Sequence, residues 1–287
     1  MNGHVFVLGA TGTVGRLLLD ELAPTDVAVR AAARNPAKAA AAYDVAVQWA
    51  EFDLERVETF APALAGIDRV FMISRPGDDV AERFAVPFID AMRVAGVKHV
   101  VNLSAMGAAK RPEFSVRKVE LALEASGIPF THLRPNFFMQ IHATGALGQA
   151  IRMTRRIALP AGNAKLSFID ARDVAGVAAR VLTDVRPHAN SAYTLTGCEA
   201  MDYHEVADCI AKAVGDHVQY VPIDDAATRA MLQGAGYAAT RIDRLLGMYR
   251  LVRMGACEPT SPDAEAVLTH PPIRFDKFAA DHADCWK

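Results

Sequence analysis

The sequence predicts an α/β fold, a doubly wound parallel sheet followed by a smaller C-terminal α/β lobe. Three observations carry this. Short apolar runs alternate with segments of helical periodicity up to about residue 135, and strict strand–helix alternation implies parallel strands with helices on both faces. A glycine-rich turn joins the first strand to the first helix. The alternation loosens after Pro135, which divides the chain into a first domain over 1–135 and a second over 136–287.

Each element has its own signal. Residues 5–8 are a short apolar run closed by Gly9, and 13–22 carry apolar residues at helical spacing, stopping before Pro24. A strand over 27–33 leads to a short alanine-rich helix over 36–42, and a strand over 45–49 to a helix over 54–64. A fourth strand covers 70–73, a long helix over 80–95 ends at Gly96, and a fifth strand spans 99–103. The helix over 114–125 stops at Ser126 and Gly127, before a sixth strand over 130–133. In the second domain, 137–160 reads as helix and then coil, and 168–183 as a strand end and a helix. Strands over 192–195 and 218–221 flank a helix over 203–214 with a cap at Asp202, and 224–255 is largely helical.

Composition excludes several function classes. Of 287 residues, 52% are hydrophobic and 22% charged, ordinary globular proportions that rule out a largely disordered chain. A net charge of −2 commits the chain neither to nucleic acid nor to an anionic membrane. No apolar run approaches the roughly 20 residues of a spanning helix, and no basic n-region precedes the first strand. Cys198, Cys209, Cys257 and Cys285 form no CxxC pair, which suits a reducing cytoplasm. The nine histidines include no HExxH, so no metal site is expected. Arg152, Arg155 and Arg156 form a basic cluster that reads as a solvated helix face.

The glycine-rich turn runs Gly9, Ala10, Thr11, Gly12, Thr13, Val14, Gly15. In a Rossmann-type domain the first glycine permits the tight turn, the second lets backbone approach a pyrophosphate, and the third lets helix and strand pack closely. The helix N-terminus then offers unpaired N–H groups to the anion. At the end of the second strand stand Arg34, Asn35 and Pro36 with Lys38 nearby, and no carboxylate lies between Val27 and Tyr43. NAD binders place an acidic residue there for the ribose 2′-hydroxyl, whereas an arginine accommodates a 2′-phosphate, so NADP(H) is expected in preference to NAD(H). Asp53 stands where an adenine amino group could be bound; the other reading of Asp53 is a helix N-cap.

Further motifs give the chain a family resemblance. Val7-Leu8-Gly9-Ala10-Thr11-Gly12, Arg34-Asn35-Pro36, Ala95-Gly96-Val97-Lys98-His99, Ser126-Gly127-Ile128-Pro129, Leu133-Arg134-Pro135-Asn136-Phe137-Phe138-Met139 and Phe168-Ile169-Asp170-Ala171-Arg172-Asp173 occur in this order. Together they resemble the NmrA-like branch of atypical short-chain dehydrogenases/reductases. The resemblance implies NADP(H) at the carboxyl ends of the strands, with Gly9, Thr11, Gly12, Val14 and Gly15 on the pyrophosphate and Arg34 and Lys38 on the 2′-phosphate. It places Asp53 and Leu54 at the adenine, and Ile73, Ser74, Arg75, Ser104 and Ala105 along the ribose and nicotinamide. Pro135, Asn136 and Phe137 would close over the nicotinamide ring. Enzymes of the family include NAD(P)H-dependent reductases of azo dyes, triphenylmethane dyes and quinones.

Orthodox short-chain dehydrogenases carry Tyr-x-x-x-Lys at the start of the helix after the fifth strand. Here the segment is Phe114-Ser115-Val116-Arg117-Lys118. If Lys118 is the catalytic, ribose-holding lysine, Phe114 takes the tyrosine position and cannot transfer a proton; the other reading of Lys118 is an exposed helix lysine. Alcohol oxidation needs a base on the hydroxyl, whereas quinone, azo, imine and cationic dye acceptors are already electrophilic. The expected function is therefore NADPH-dependent hydride transfer to such a conjugated small molecule, with Phe137, Phe138, Met139 and Tyr237 as substrate-facing candidates. Tyr237, Tyr249, His142 and Asp170 are candidates for a distant acid. The alternative is a non-catalytic NADP(H)-binding sensor or regulator of the NmrA type. Either way the expected partner is a small molecule, and the protein is expected to be a cytoplasmic monomer or homodimer.

Overall fold

The computed structural model describes residues 3–43, 47–74 and 80–287. Six strands and five helices alternate first: β1 (His4–Val7), α1 (Thr13–Leu22), β2 (Ala28–Ala33), α2 (Pro36–Ala42), β3 (Gln48–Glu51), α3 (Phe60–Leu64), β4 (Arg69–Ile73), α4 (Ala81–Val94), β5 (His99–Leu103), α5 (Ser115–Ala125) and β6 (Phe130–Pro135). There follow α6 (Gly145–Thr154), β7 (Arg156–Leu159), α7 (Ala171–Thr183), β8 (Ser191–Leu195), α8 (Tyr203–Val214) and β9 (Gln219–Pro222). Four helices end the chain: α9 (Asp225–Gly234), α10 (Ala239–Arg253), α11 (Asp263–Leu268) and α12 (Phe275–Asp281).

The main sheet runs β3-β2-β1-β4-β5-β6-β8, and every pairing in it is parallel. Strand order reverses between β1 and β4. Open α/β sheets bind ligands at such a switch point, outside the carboxyl ends of the strands.

Packing divides the chain into two units. The sheet unit comprises Met1–Pro135, Ala171–Leu195 and Ala266–Thr269; the second comprises Asn136–Asp170, Thr196–Glu265 and His270–Lys287. The chain leaves the sheet after Pro135, but 136–287 is not a single lobe. Helix α7 and strand β8 return to the sheet unit, with β8 pairing along β6 from Thr131↔Ser191 to Pro135↔Leu195. The reason is legible in α7, which buries Val174, Val177, Ala178, Val181 and Leu182 and packs along α1. A helix apolar over so much of its surface belongs in a core.

Two local departures have simple causes. The helix expected over 54–64 is reduced to a 3-10 turn at Val57–Thr59 and the short α3, because the Pro62 ring would clash with the carbonyl four residues earlier in any longer helix. The stretch expected as helix and coil contains β7, which pairs with β9 in a separate two-stranded parallel sheet (Ile157↔Tyr220). Four residues carry too little periodicity to reveal a strand whose partner lies so far along the chain.

In the sheet unit the core is built on four phenylalanines. Phe52 stacks on Phe60 at 5.5 Å and meets Phe6 and Phe88 edge-on at 5.2 and 4.9 Å. The second unit packs Phe168, Tyr203, Phe275, Phe278 and Trp286 into its own core.

Candidate cofactor site

The turn after β1 is built by its glycines. Gly9 adopts φ +65, which side chains disfavour, and its carbonyl accepts the Gly12 N–H at 2.8 Å. A Cβ on Gly15 would stand 2.1 Å from Gly9 O, so only glycine lets α1 start this close to β1. A Cβ on Gly9 would meet Ile73 Cγ2 at 2.8 Å, which places the end of β4 directly against the turn. Gly12 caps α1 without a side-chain hydrogen bond, and no acidic residue stands in the first turn. The N-terminal N–H groups are therefore left for an anion. Thr11 is exposed, whereas Val14 is buried and offers only its backbone to a ligand.

Arg34 and Lys38 are both exposed, and neither head group pairs with a described residue. Asn35 caps α2 with Pro36 behind it, its Oδ1 accepting the Lys38 N–H at 3.0 Å. This geometry sets Arg34 and Lys38 on either side of a helix start. Asp53 Oδ1 accepts the Glu55 N–H at 3.1 Å, and the Asp53 N–H and carbonyl both engage Thr59 Oγ1 at 3.2 Å. The carboxylate thus organises its own turn but caps no helix, since the 3-10 turn starts after Arg56 and α3 after Thr59. Leu54 is half-buried beside it.

Ile73 and Ser74 lie half-buried at the end of β4; Arg75 lies outside the described residues. At the end of β5 the Ser104 N–H donates to Leu133 O at 2.7 Å, and Met106 N–H to Pro135 O at 2.9 Å, so the backbone on either side of Ala105 is bound to the end of β6. Ser104 Oγ is buried without a hydrogen-bond partner among the described residues. It lies near enough to Glu120 to favour the charged carboxylate, yet not in hydrogen-bonding geometry with it. An orphaned buried hydroxyl, a cradle that a single Cβ would fill and two unpaired cations together fit a phosphorylated dinucleotide.

Helix α5 brings two clusters that spacing does not reveal. Phe114 precedes it in extended conformation, with the Arg111 guanidinium 5.1 Å over its ring. Lys118 Nζ pairs with Glu82 Oε1 at 3.0 Å. Deeper, the fully buried Glu120 accepts Arg134 Nε and Nη2, both at 2.9 Å, and Arg117 Nη1 at 2.8 Å. Burial alone would raise the Glu120 carboxyl, but these guanidinium groups, Arg134 foremost, hold it down at about 2. Glu120, Glu124 and His132 converge within 4.8 Å, donor types a metal could use. The Glu120 oxygens are already taken by two arginines, which makes the group an ion-pair network.

In the second unit several candidates are placed structurally. The Asn136 amide donates to Ser167 O (3.1 Å), Ser167 Oγ (2.8 Å) and Cys257 O (2.8 Å), so its donors are engaged within its own unit. Met139 is only 2% exposed and belongs to the core of the second unit. Phe137 and Phe138 are half-buried, with Phe137 6.3 Å from Tyr249. Tyr237 carries the Arg241 guanidinium 4.5 Å from its ring.

The distant-acid candidates are likewise embedded. Burial raises the Tyr249 phenol to about 12, with Tyr203 as its partner at 3.4 Å. His142 is enclosed by Phe168, Tyr203 and Phe275, donates from Nδ1 to Met139 O at 2.9 Å and is pushed by burial to about 4. Asp170 is fully buried and accepts from Gln140 Nε2 at 2.8 Å. Arg155 of the basic cluster ends α6 in left-handed conformation and pairs with Asp216 at 2.8 Å.

Comparison with known proteins agrees with the cradle. The sequence model of the NAD(P)H-binding family matches residues 9–185. The NAD(P)H azoreductase of Xenophilus azovorans is 33% identical over 284 residues, covering 97% of this chain and 98% of its own. The NADPH complex of the Escherichia coli quinone oxidoreductase QOR2 superposes with a TM-score of 0.86 at 25% identity, covering 96% of this chain and 99% of that one. The triphenylmethane reductase of Citrobacter sp., complexed with NADP(H), shares the fold at the same TM-score, 24% identity and 98% and 99% coverage. By full-length similarity, and by a family match that covers the phosphate turn and most of the main sheet, this chain belongs to the NAD(P)H-binding family.

Proposed function

We propose that the protein is an NADPH-dependent reductase, of the atypical short-chain dehydrogenase type, acting on a conjugated electrophilic small molecule such as a quinone, azo compound, imine or cationic dye. The observation that carries this is the cradle itself: a glycine turn closed to any Cβ at Gly15, with Arg34 and Lys38 unpaired at the end of β2. A planar guanidinium pairs bidentately with phosphate, which favours NADPH over NADH. The names of the azoreductase and quinone oxidoreductase relatives support the acceptor class.

When bound, NADPH supplies a hydride from C4 of its nicotinamide. In this reading Gly12, Gly15 and the α1 N-terminus fix the pyrophosphate, Arg34 and Lys38 the 2′-phosphate, and Ser104, Ala105 and Lys118 the nicotinamide end. Phe114 stands four residues before Lys118 and has no proton to give. That restricts the acceptor to compounds whose reduced form is protonated by water, and leaves orientation as the protein's main contribution. Proximity and orientation contribute roughly 7–11 kcal/mol where the reacting atoms are well aligned.

The test is direct. The purified protein is mixed with NADPH or NADH and a panel of quinones, azo dyes and cationic dyes, and the nicotinamide absorbance is followed. Turnover with NADPH well above NADH is expected. Tight NADPH binding without turnover on the whole panel would favour a sensor, and no binding of either nucleotide would sink both readings.

A further inference from the structure

The carboxyl edge of the main sheet joins three side chains from the starts of α4 and α5. Ser115, the buried first residue of α5, accepts the Ala81 N–H of α4 at 2.6 Å and donates its hydroxyl to Glu82 Oε2 at 2.6 Å. The other carboxylate oxygen, Oε1, takes the Lys118 ammonium at 3.0 Å. Both Glu82 oxygens are therefore engaged by α5, one at its first residue and one a turn later. The carboxyl is displaced below its usual range, because the Ser115 and Lys118 bonds outweigh the burial that would raise it.

The geometry leaves Lys118 a function. An ammonium carries three donor protons, and Glu82 uses one. The Lys118 side chain is 45% exposed, and among the described residues Glu82 is the partner its ammonium has. A free lysine loses rotamer freedom when a ligand orders it. Here the carboxylate that holds the ammonium is itself held by a buried hydroxyl, so the side chain is ordered before any ligand arrives. The tie also sets the first turn of α5, and with it the stretch that includes Phe114.

We propose that Glu82 is a positioning residue of the cofactor site, holding the Lys118 ammonium for the hydroxyls of the nicotinamide-side ribose; this rests on the NADP(H) reading of the site.

The experiment compares two ligands, NADPH and adenosine 2′,5′-bisphosphate, which lacks the nicotinamide and its ribose. Their dissociation constants are measured by calorimetry on the wild-type chain and on Glu82→Gln, Ser115→Ala, Lys118→Met and the Glu82→Gln/Lys118→Met pair, with Tm recorded for each. Glu82→Gln and Lys118→Met are each expected to weaken NADPH by about two- to fivefold, the range of a partly exposed ion pair. The double variant should be no weaker than Lys118→Met, and the bisphosphate should bind all of them equally. Ser115→Ala should follow Glu82→Gln in direction.

Loss of NADPH affinity in Lys118→Met but not in Glu82→Gln overturns the proposal while the cofactor reading stands. So does an unchanged Lys118→Met, or a Glu82→Gln variant that loses both ligands together with Tm, the mark of a purely structural tie. Failure of the wild-type chain to bind either ligand overturns the cofactor reading itself.

Discussion

In the proposed cofactor site, Gly15 and Arg34 are the residues at which single changes test binding most directly. A Cβ at Gly15 would have to push Gly9 O away from 2.1 Å, and that oxygen belongs to the backbone turn that holds β1 against α1. Gly15→Ala is expected to destabilise the fold by about 1–3 kcal/mol, as overpacking does, and to abolish NADPH binding; thermal melts with calorimetry check both. Arg34→Ala removes a charge-assisted contact worth roughly 1.5–3 kcal/mol. It should therefore weaken NADPH by at least tenfold and leave NADH within about twofold. Equal losses for the two nucleotides would remove Arg34 from the 2′-phosphate. Gly15 was legible from the sequence, because a glycine triplet acts through local backbone geometry, and the same local reading singles out Arg34 at the end of β2. Asn136 and Met139 were not: their roles depend on Ser167, Cys257 and a core assembled from distant segments.

At the scale of elements, α5 is tied to its neighbours by charge. Arg134 on β6 and Arg117 within the helix share the buried Glu120, and Lys118 and Ser115 reach Glu82 on α4. Removing one partner from a buried pair costs about 3–5 kcal/mol, because the remaining charge stays desolvated. Arg134→Met is expected at the lower end of that range, since Arg117 still faces Glu120, and a urea midpoint measurement reads it. A loss under about 1 kcal/mol would mean that water reaches the carboxylate. Helix α7 makes a complementary point. Its periodicity marks a helix, but only the packing along α1 shows that it carries β8 back to the main sheet.

Over the whole molecule, buried ionisable groups set the response to acid. His99 is held to about 4 by burial first, then by Arg69 and His188, and His142 to about 4 by burial. Unfolded, each takes a proton near 6.5. The unfolded chain binds more protons between these values, so stability falls as pH drops from about 6.5 to 4, by up to about 3 kcal/mol per histidine. Glu120 acts in the next window: its contribution is fully present above 4.5 and is lost as pH falls towards about 2. The urea midpoint is therefore expected to be clearly lower at pH 5 than at pH 7.5. A flat profile over that range would contradict the enclosed, neutral histidines.

The strand–helix alternation, the phosphate turn and the expectation of a 2′-phosphate all follow from the sequence, because each is written in residues within one or two turns of each other. The return of β8 to the sheet, the β7–β9 pair and the Glu82–Ser115–Lys118 tie do not. Each joins segments separated by tens of residues, and no local periodicity or propensity records which distant partner a side chain will meet. Tertiary packing decided those partners, and with them which charged groups are buried, which are shared and which remain free for a ligand.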